Sequence, residues 1–147
     1  MAATETNWIE VFLYFAKWLS FFCFFAAGLI HVGIFYLEVF LVPKKPHLMK
    51  VTSETLPAVR VWSLNQGFYN LFLALGMFAG LICVLLQKRE AAGALVGFTG
   101  LFMMGAGVVL KFTVPQLRRG FFIQFFPPLI GFFFLSIHIF ARIFHLV

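Results

Sequence analysis

Four long apolar runs separated by short polar segments dominate this sequence and leave few ways for it to fold. A hydrocarbon layer about 30 Å thick asks for about 20 residues of apolar helix per crossing, and each run has that length. The first covers residues 8–42 and stops at Pro43, Lys44, Lys45 and Pro46. The second covers 59–86, between Pro57 and the polar turn Gln87, Lys88, Arg89 and Glu90. The third covers 91–110 and the fourth 121–147. Only that polar turn separates the second run from the third, so these two form an antiparallel hairpin. The expected architecture is all-α: a single domain over residues 1–147, an integral membrane bundle of four transmembrane helices.

Composition supports this. Hydrophobic residues make up 63% of the chain and charged residues 11%, with phenylalanine at 23 positions. A soluble fold of this size has too little interior to hide that much apolar surface, so the lipid bilayer must cover the rest. The net charge of +6 does not point to nucleic acid, because the basic residues sit in short segments between the runs rather than along one polar face. They bear on orientation instead. The first and third loops carry Lys44, Lys45, Lys50, Arg60, Lys111, Arg118 and Arg119, against Lys17, Lys88, Arg89 and Arg142 on the other side. That bias places the first and third loops in the cytoplasm.

Cys23 and Cys83 fall inside apolar runs, where a thiol behaves as a small hydrophobe, and no disulfide framework follows from them. Glu5 lies ahead of the first run and Glu10 and Lys17 lie near its start, which with its length makes it a retained helix rather than a cleaved signal. Trp8, Tyr14 and Trp18 read as an aromatic belt, and His138 and His145 as interfacial. Helix three is rich in small residues. Gly93 and Gly97 have the spacing that lets backbones approach, within one bundle in the first instance and between copies in a homo-oligomer in the second. Pro127 and Pro128 would free the carbonyls of Ile123 and Gln124, unless the fourth helix begins at Pro127 itself.

The informative residues are those a bilayer should exclude. His31 and Glu38 lie seven apart on the first helix, on one face but about 10 Å apart along the axis, so they cannot touch directly. Asn65, Gln66, Tyr69 and Asn70 form a polar stripe on the second helix, and Gln124 adds a polar group to the fourth. Counted from the first loop, Glu38 lies about 6 Å and His31 about 16 Å deep. The stripe covers the same band, with Asn65 and Gln66 level with Glu38, and Tyr69 and Asn70 closer to His31. Gln124 enters from the same side. Intramembrane ionisable groups are costly and tend to face a cavity with a partner, and Arg60 is the nearby cation. The expectation is a pocket in one leaflet where Glu38, His31 and Tyr69 do acid/base work while Asn65, Gln66, Asn70, Gln124 and Arg60 bind a lipophilic ligand. The competing reading is that the amides are hydrogen bonds that fix the bundle. No two histidines or cysteines have metal-ligand spacing, and the chain contains no aspartate. The residues identify no cofactor.

Two stretches carry a resemblance. HVGIFYLEVF, from His31 to Phe40, and LNQGFYNLFLALG, from Leu64 to Gly76, resemble the signature segments of a family of small bacterial four-helix membrane proteins of unknown function, sometimes labelled as a subunit of "epoxidase LasB". The glycine-rich third helix and Gln124 ahead of Pro127 and Pro128 continue it. The resemblance implies the four-helix architecture and a bacterial inner membrane. Against the usual member, this chain is extended at its N-terminus and in its third loop. It is also similar, more distantly, to the membrane-associated eicosanoid and glutathione metabolism proteins. Arg60 and Asn65 lie near that family's arginine and asparagine, but Gly67, Phe68 and Tyr69 stand where its glutamate would be.

Three functional expectations follow. The first is a membrane protein holding a lipophilic small molecule in its leaflet-embedded pocket, extending to acid/base isomerisation or epoxide chemistry. The second is glutathione-dependent conjugation. The third is a non-catalytic accessory subunit whose polar stripe binds a partner helix.

Overall fold

The computed structural model describes residues 8–144. Helix α1, Trp8–Tyr36, runs directly into one π-helical turn, Leu37–Leu41. Helix α2 is Leu56–Leu85, α3 is Arg89–Thr113 and α4 is Arg118–Ile143. Each of the four spans is long and apolar enough to cross a membrane, and no strand occurs among the described residues. The protein is a four-helix membrane protein. Residues 145–147, which close the expected fourth helix and include His145, lie outside the described residues, as does Glu5.

Local chemistry sets the helix ends. Pro57 falls in the first turn of α2, where its missing donor costs nothing, so α2 begins three residues earlier than its apolar run. Gln87 adopts a left-handed conformation, φ 60°, and reverses the chain between α2 and α3. Helix α4 starts at Arg118 and passes through Pro127 and Pro128 without a break, so the helix does not begin at Pro127. Pro128 and Gln124 are buried, which turns that part of the interrupted backbone toward protein, while Ile123 is exposed.

The helices form a ring. Helix α1 packs along α2 and α4, α3 packs along the same two, and α1 and α3 meet at few points across the diagonal. The core joins Phe24 and Ala27 of α1, Met77 and Leu81 of α2, and Val96 and Met103 of α3, with Phe132 and Leu135 of α4 packed against them. Phe24 and Phe132 meet edge to face at 5.0 Å, and the Ser20 hydroxyl donates to the Gly131 carbonyl at 2.9 Å, tying α1 to α4. The outside is a coat of exposed apolar side chains, including Phe22, Phe72, Phe98, Phe112 and Phe133, suited to acyl chains. Trp8 and Tyr14 belong to this surface, whereas Trp18 and His138 are half-buried.

The third-helix glycines divide into two sets. A Cβ on Gly100 would lie 2.7 Å from the Phe132 ring, and one on Gly107 would lie 3.2 Å from Cβ of Gln124, so these two let α3 close on α4. Gly93 and Gly97 have nothing within 4 Å on that side. The first reading of their spacing, tight packing within the bundle, is therefore corrected: their small size leaves open surface instead.

Candidate functional site

The contact between the end of α1 and α2 builds the site. Gly67 makes it possible, because a Cβ there would sit 2.5 Å from Cγ2 of Val39 and 3.4 Å from the Phe35 carbonyl oxygen. With Val39 level with Gly67, about three turns of α2 precede the end of α1's contact.

The π turn ends directly before Pro43. In it the Val42 N–H reaches back five residues to the Leu37 carbonyl, at 2.8 Å. The corresponding partner of the Glu38 carbonyl would be Pro43, which has no N–H to give. The Ser63 hydroxyl of α2 donates to that carbonyl instead, at 2.6 Å. Ser63, Gly67 and Asn70 recur at four and three residues, so one face of α2 brings all three to the turn.

Glu38 is 8% exposed, and its Oε2 accepts a hydrogen bond from Asn70 Nδ2 at 3.0 Å. The other Asn70 N–H goes to the Gln66 carbonyl, also at 3.0 Å, which holds the amide in place. Among the described residues no second side-chain donor and no salt bridge reaches the carboxylate. Glu38 lines a groove of about 360 Å³ that continues along Phe40, Pro43 and Lys44 on one side and Arg60, Val61 and Leu64 on the other. Lys44 and Arg60 are exposed at its mouth. A carboxylate at the inner end, two cations outside it and apolar walls between make an amphipathic cleft. π turns of this kind often mark functional positions.

The remaining expected residues separate. Asn70 was placed nearer the level of His31, yet it bonds Glu38, because a helical side chain leans toward the N-terminus of its own helix and carries the carboxylate one turn deeper. Positions 65, 66, 69 and 70 spread over an arc of about 140°, too wide to face a single neighbour. Asn65, Gln66 and Tyr69 accordingly face outward, Tyr69 at 62% exposure, and do not line the groove. Gln124 is buried against Gly107 on the α3 side. His31 is fully buried, and its Nδ1 donates to the Ala27 carbonyl at 3.0 Å. Nε2 has no hydrogen-bond partner among the described residues. His31 is not part of the groove either. Ser63 was missed at the sequence level. The absent donor of Pro43, with a hydroxyl four residues before Gly67, was the available signal.

Fold and site define a class: small four-helix membrane proteins with a buried carboxylate held at a π turn by an asparagine from the next helix. Within that class the chain belongs to the family described as protein of unknown function (DUF1304), whose model matches residues 25–136. The match covers Glu38, Ser63, Asn70 and Gln124, and the family carries no assigned activity. No curated protein and no solved structure gives a significant match.

Proposed function

We propose that the protein binds a lipophilic small molecule in the groove at the end of α1, and that the Glu38 carboxylate engages the polar end of that molecule. One observation carries this reading: a buried carboxylate with one neutral donor, no ion pair among the described residues and an opening into an apolar cleft. A carboxylate held that way in a membrane is incompletely satisfied, and a ligand supplies what is missing. A carboxyl group so placed is also suited to proton transfer, which is what supports the extension to acid/base isomerisation or epoxide chemistry. His31 and Tyr69 stand apart from the groove, so any such chemistry centres on Glu38 alone. The epoxidase assignment has the resemblance of residues 31–40 and 64–76 as its support. The seven basic residues of the first and third loops support a cytoplasmic groove mouth, and the resemblance of residues 31–40 and 64–76 supports a bacterial inner membrane.

The test is native mass spectrometry of the protein released from its membrane, comparing wild type with Glu38→Gln. Glutamine keeps the oxygen that Asn70 bonds, so the fold should survive while the bound molecule is lost. A Glu38→Gln protein that retains the same molecule in the same amount would overturn the proposal.

A second reading has its own observation. Asn65, Gln66 and Tyr69 present polar groups to the bilayer, and Gly93 and Gly97 leave open space where another backbone could approach. Both features suit a non-catalytic accessory protein docking a partner helix, from a second copy or from another protein. A photo-crosslinking residue at position 69 should then capture a discrete partner in membranes, whereas labelling of lipid alone would dismiss this reading.

A further inference from the structure

His31 carries one polar atom that the fold does not satisfy. The side chain is fully buried, and Nε2 has no hydrogen-bond partner among the described residues. Nδ1 lies 3.0 Å from the Ala27 carbonyl, so a neutral ring presents its lone pair at Nε2. The same bond holds the ring beside Ala27, which belongs to the core cluster that contains Met77 and Met103. His31 follows Phe24 and Ala27 by seven and four residues, so it shares their inward face. The helix register agrees. Val39 meets Gly67 and Phe78 meets Gly28, which sets His31 level with Leu75. Thr99 meets Gly76 and Val96 meets Gly80, which in turn sets Leu75 level with Gly100. Helical side chains lean toward the N-terminus of their own helix, so Met77 and Met103 carry their sulfurs back to these two levels. Cε of Met77 would lie 3.7 Å from a Cβ on Gly100.

A buried, unpartnered nitrogen is costly unless something binds it, and the groups at its height define what that is. Met77 and Met103 are both fully buried. Thr99 gives its hydroxyl proton to the Leu95 carbonyl at 2.7 Å and only grazes Met77 Sδ at 3.9 Å, so the sulfur lone pairs stay free. Among the described residues no group of three His, Cys, Asp or Glu side chains could hold a metal, so a metal here must use thioether sulfur. Thioethers with an imidazole are a donor set that selects Cu(I). Charge points the same way, because three neutral ligands would leave two uncompensated charges on a divalent ion in the bilayer but only one on a monovalent ion. We infer that His31 Nε2, Met77 Sδ and Met103 Sδ form a three-coordinate site for Cu(I), with one ligand from each of α1, α2 and α3. The flexible torsions of methionine let the sulfurs close on the ion without a shift of the helices. The site lies in the core, apart from the groove at Glu38, and stands independently of the function read from that groove.

The experiment titrates Cu(I) without oxygen, against a chromophoric Cu(I) chelator, into the full-length protein in lipid nanodiscs. A Cys23→Ala, Cys83→Ala background keeps thiolates from competing. The expected result is one ion per chain, abolished by His31→Leu. Met77→Leu and Met103→Leu conserve volume and keep the core packed, and each should weaken binding by about 10- to 100-fold, the scale on which metal sites respond to loss of a supporting group. Met104→Leu, at the half-buried neighbouring position, should change nothing. A second measurement leaves the site unmutated and needs no reductant: Ag(I), the same kind of soft monovalent ion, is added to protein carrying isotope-labelled histidine. Of the four histidines, only His31 should then show a shifted Nε2 resonance. Binding no greater than that of empty nanodiscs overturns the inference. Binding that survives His31→Leu does so too, as does a loss with Met104→Leu equal to that with Met77→Leu, or an Ag(I) shift at a different histidine.

Discussion

The Ser63 hydroxyl donates to the main-chain carbonyl of Glu38 at 2.6 Å, supplying the donor that Pro43 withholds. Both residues are buried, so the bond satisfies a carbonyl that the fold would otherwise leave without a protein donor. Through it, α2 fixes the backbone that carries the site's carboxylate, and Asn70, two turns on, fixes the carboxylate itself.

Removing the hydroxyl should therefore cost stability. Ser63→Ala leaves the Glu38 carbonyl unpaired, and the expected loss is about 1 kcal/mol, toward the upper end for intramembrane hydrogen bonds. Unfolding in mixed micelles by detergent titration measures it. No loss would mean that the carbonyl finds another donor.

Asn70 and Glu38 should behave as one unit. A double-mutant cycle with Asn70→Ala and Glu38→Ala should give a coupling energy of about 0.5 to 2 kcal/mol, because each change removes one partner of the same hydrogen bond. Additive losses would show that the 3.0 Å contact carries no energy.

The glycines give an opposed pair of outcomes. Gly67→Ala forces a methyl to 2.5 Å from Val39 and against backbone at Phe35, so α1 and α2 must separate, at an expected cost of about 1 to 3 kcal/mol. Gly97→Ala meets nothing within 4 Å and gains helix propensity, so stability should hold or rise by up to about 1 kcal/mol. The same unfolding titration reads both.

The orientation proposal can be checked in intact cells. In a background without Cys23 and Cys83, a cysteine at Ser53 in the first loop should resist an impermeant maleimide, while one at Gln87 in the second loop should react. The reverse labelling would invert the topology.

The four spans were legible because each apolar run is as long as a bilayer is thick, and their prolines and polar turns mark where they stop. The site was legible in part. Glu38, Asn70 and Arg60 stood out because charge and amides are rare in such runs. Depth alone, however, cannot say which way a side chain points. Asn65, Gln66 and Tyr69 share the height of the site but not its azimuth, which the close approach at Gly67 sets. His31 lies on the same helix as Glu38 but is spent inside the core, with Nδ1 on Ala27. The role of Ser63 depends on a π turn, and that turn is a property of backbone hydrogen bonding which side-chain patterning does not record.

The central claim is that the Glu38 carboxylate meets a ligand in the groove between the π turn and α2. A high-resolution structure of the protein in a lipid nanodisc tests it most directly. The account predicts non-protein density within hydrogen-bond reach of the carboxylate, about 3 Å, running outward between Lys44 and Arg60 and absent from the Glu38→Gln protein. A groove closed by Glu38 ion-paired to Arg60 or Lys44, with no density beside it, would contradict it.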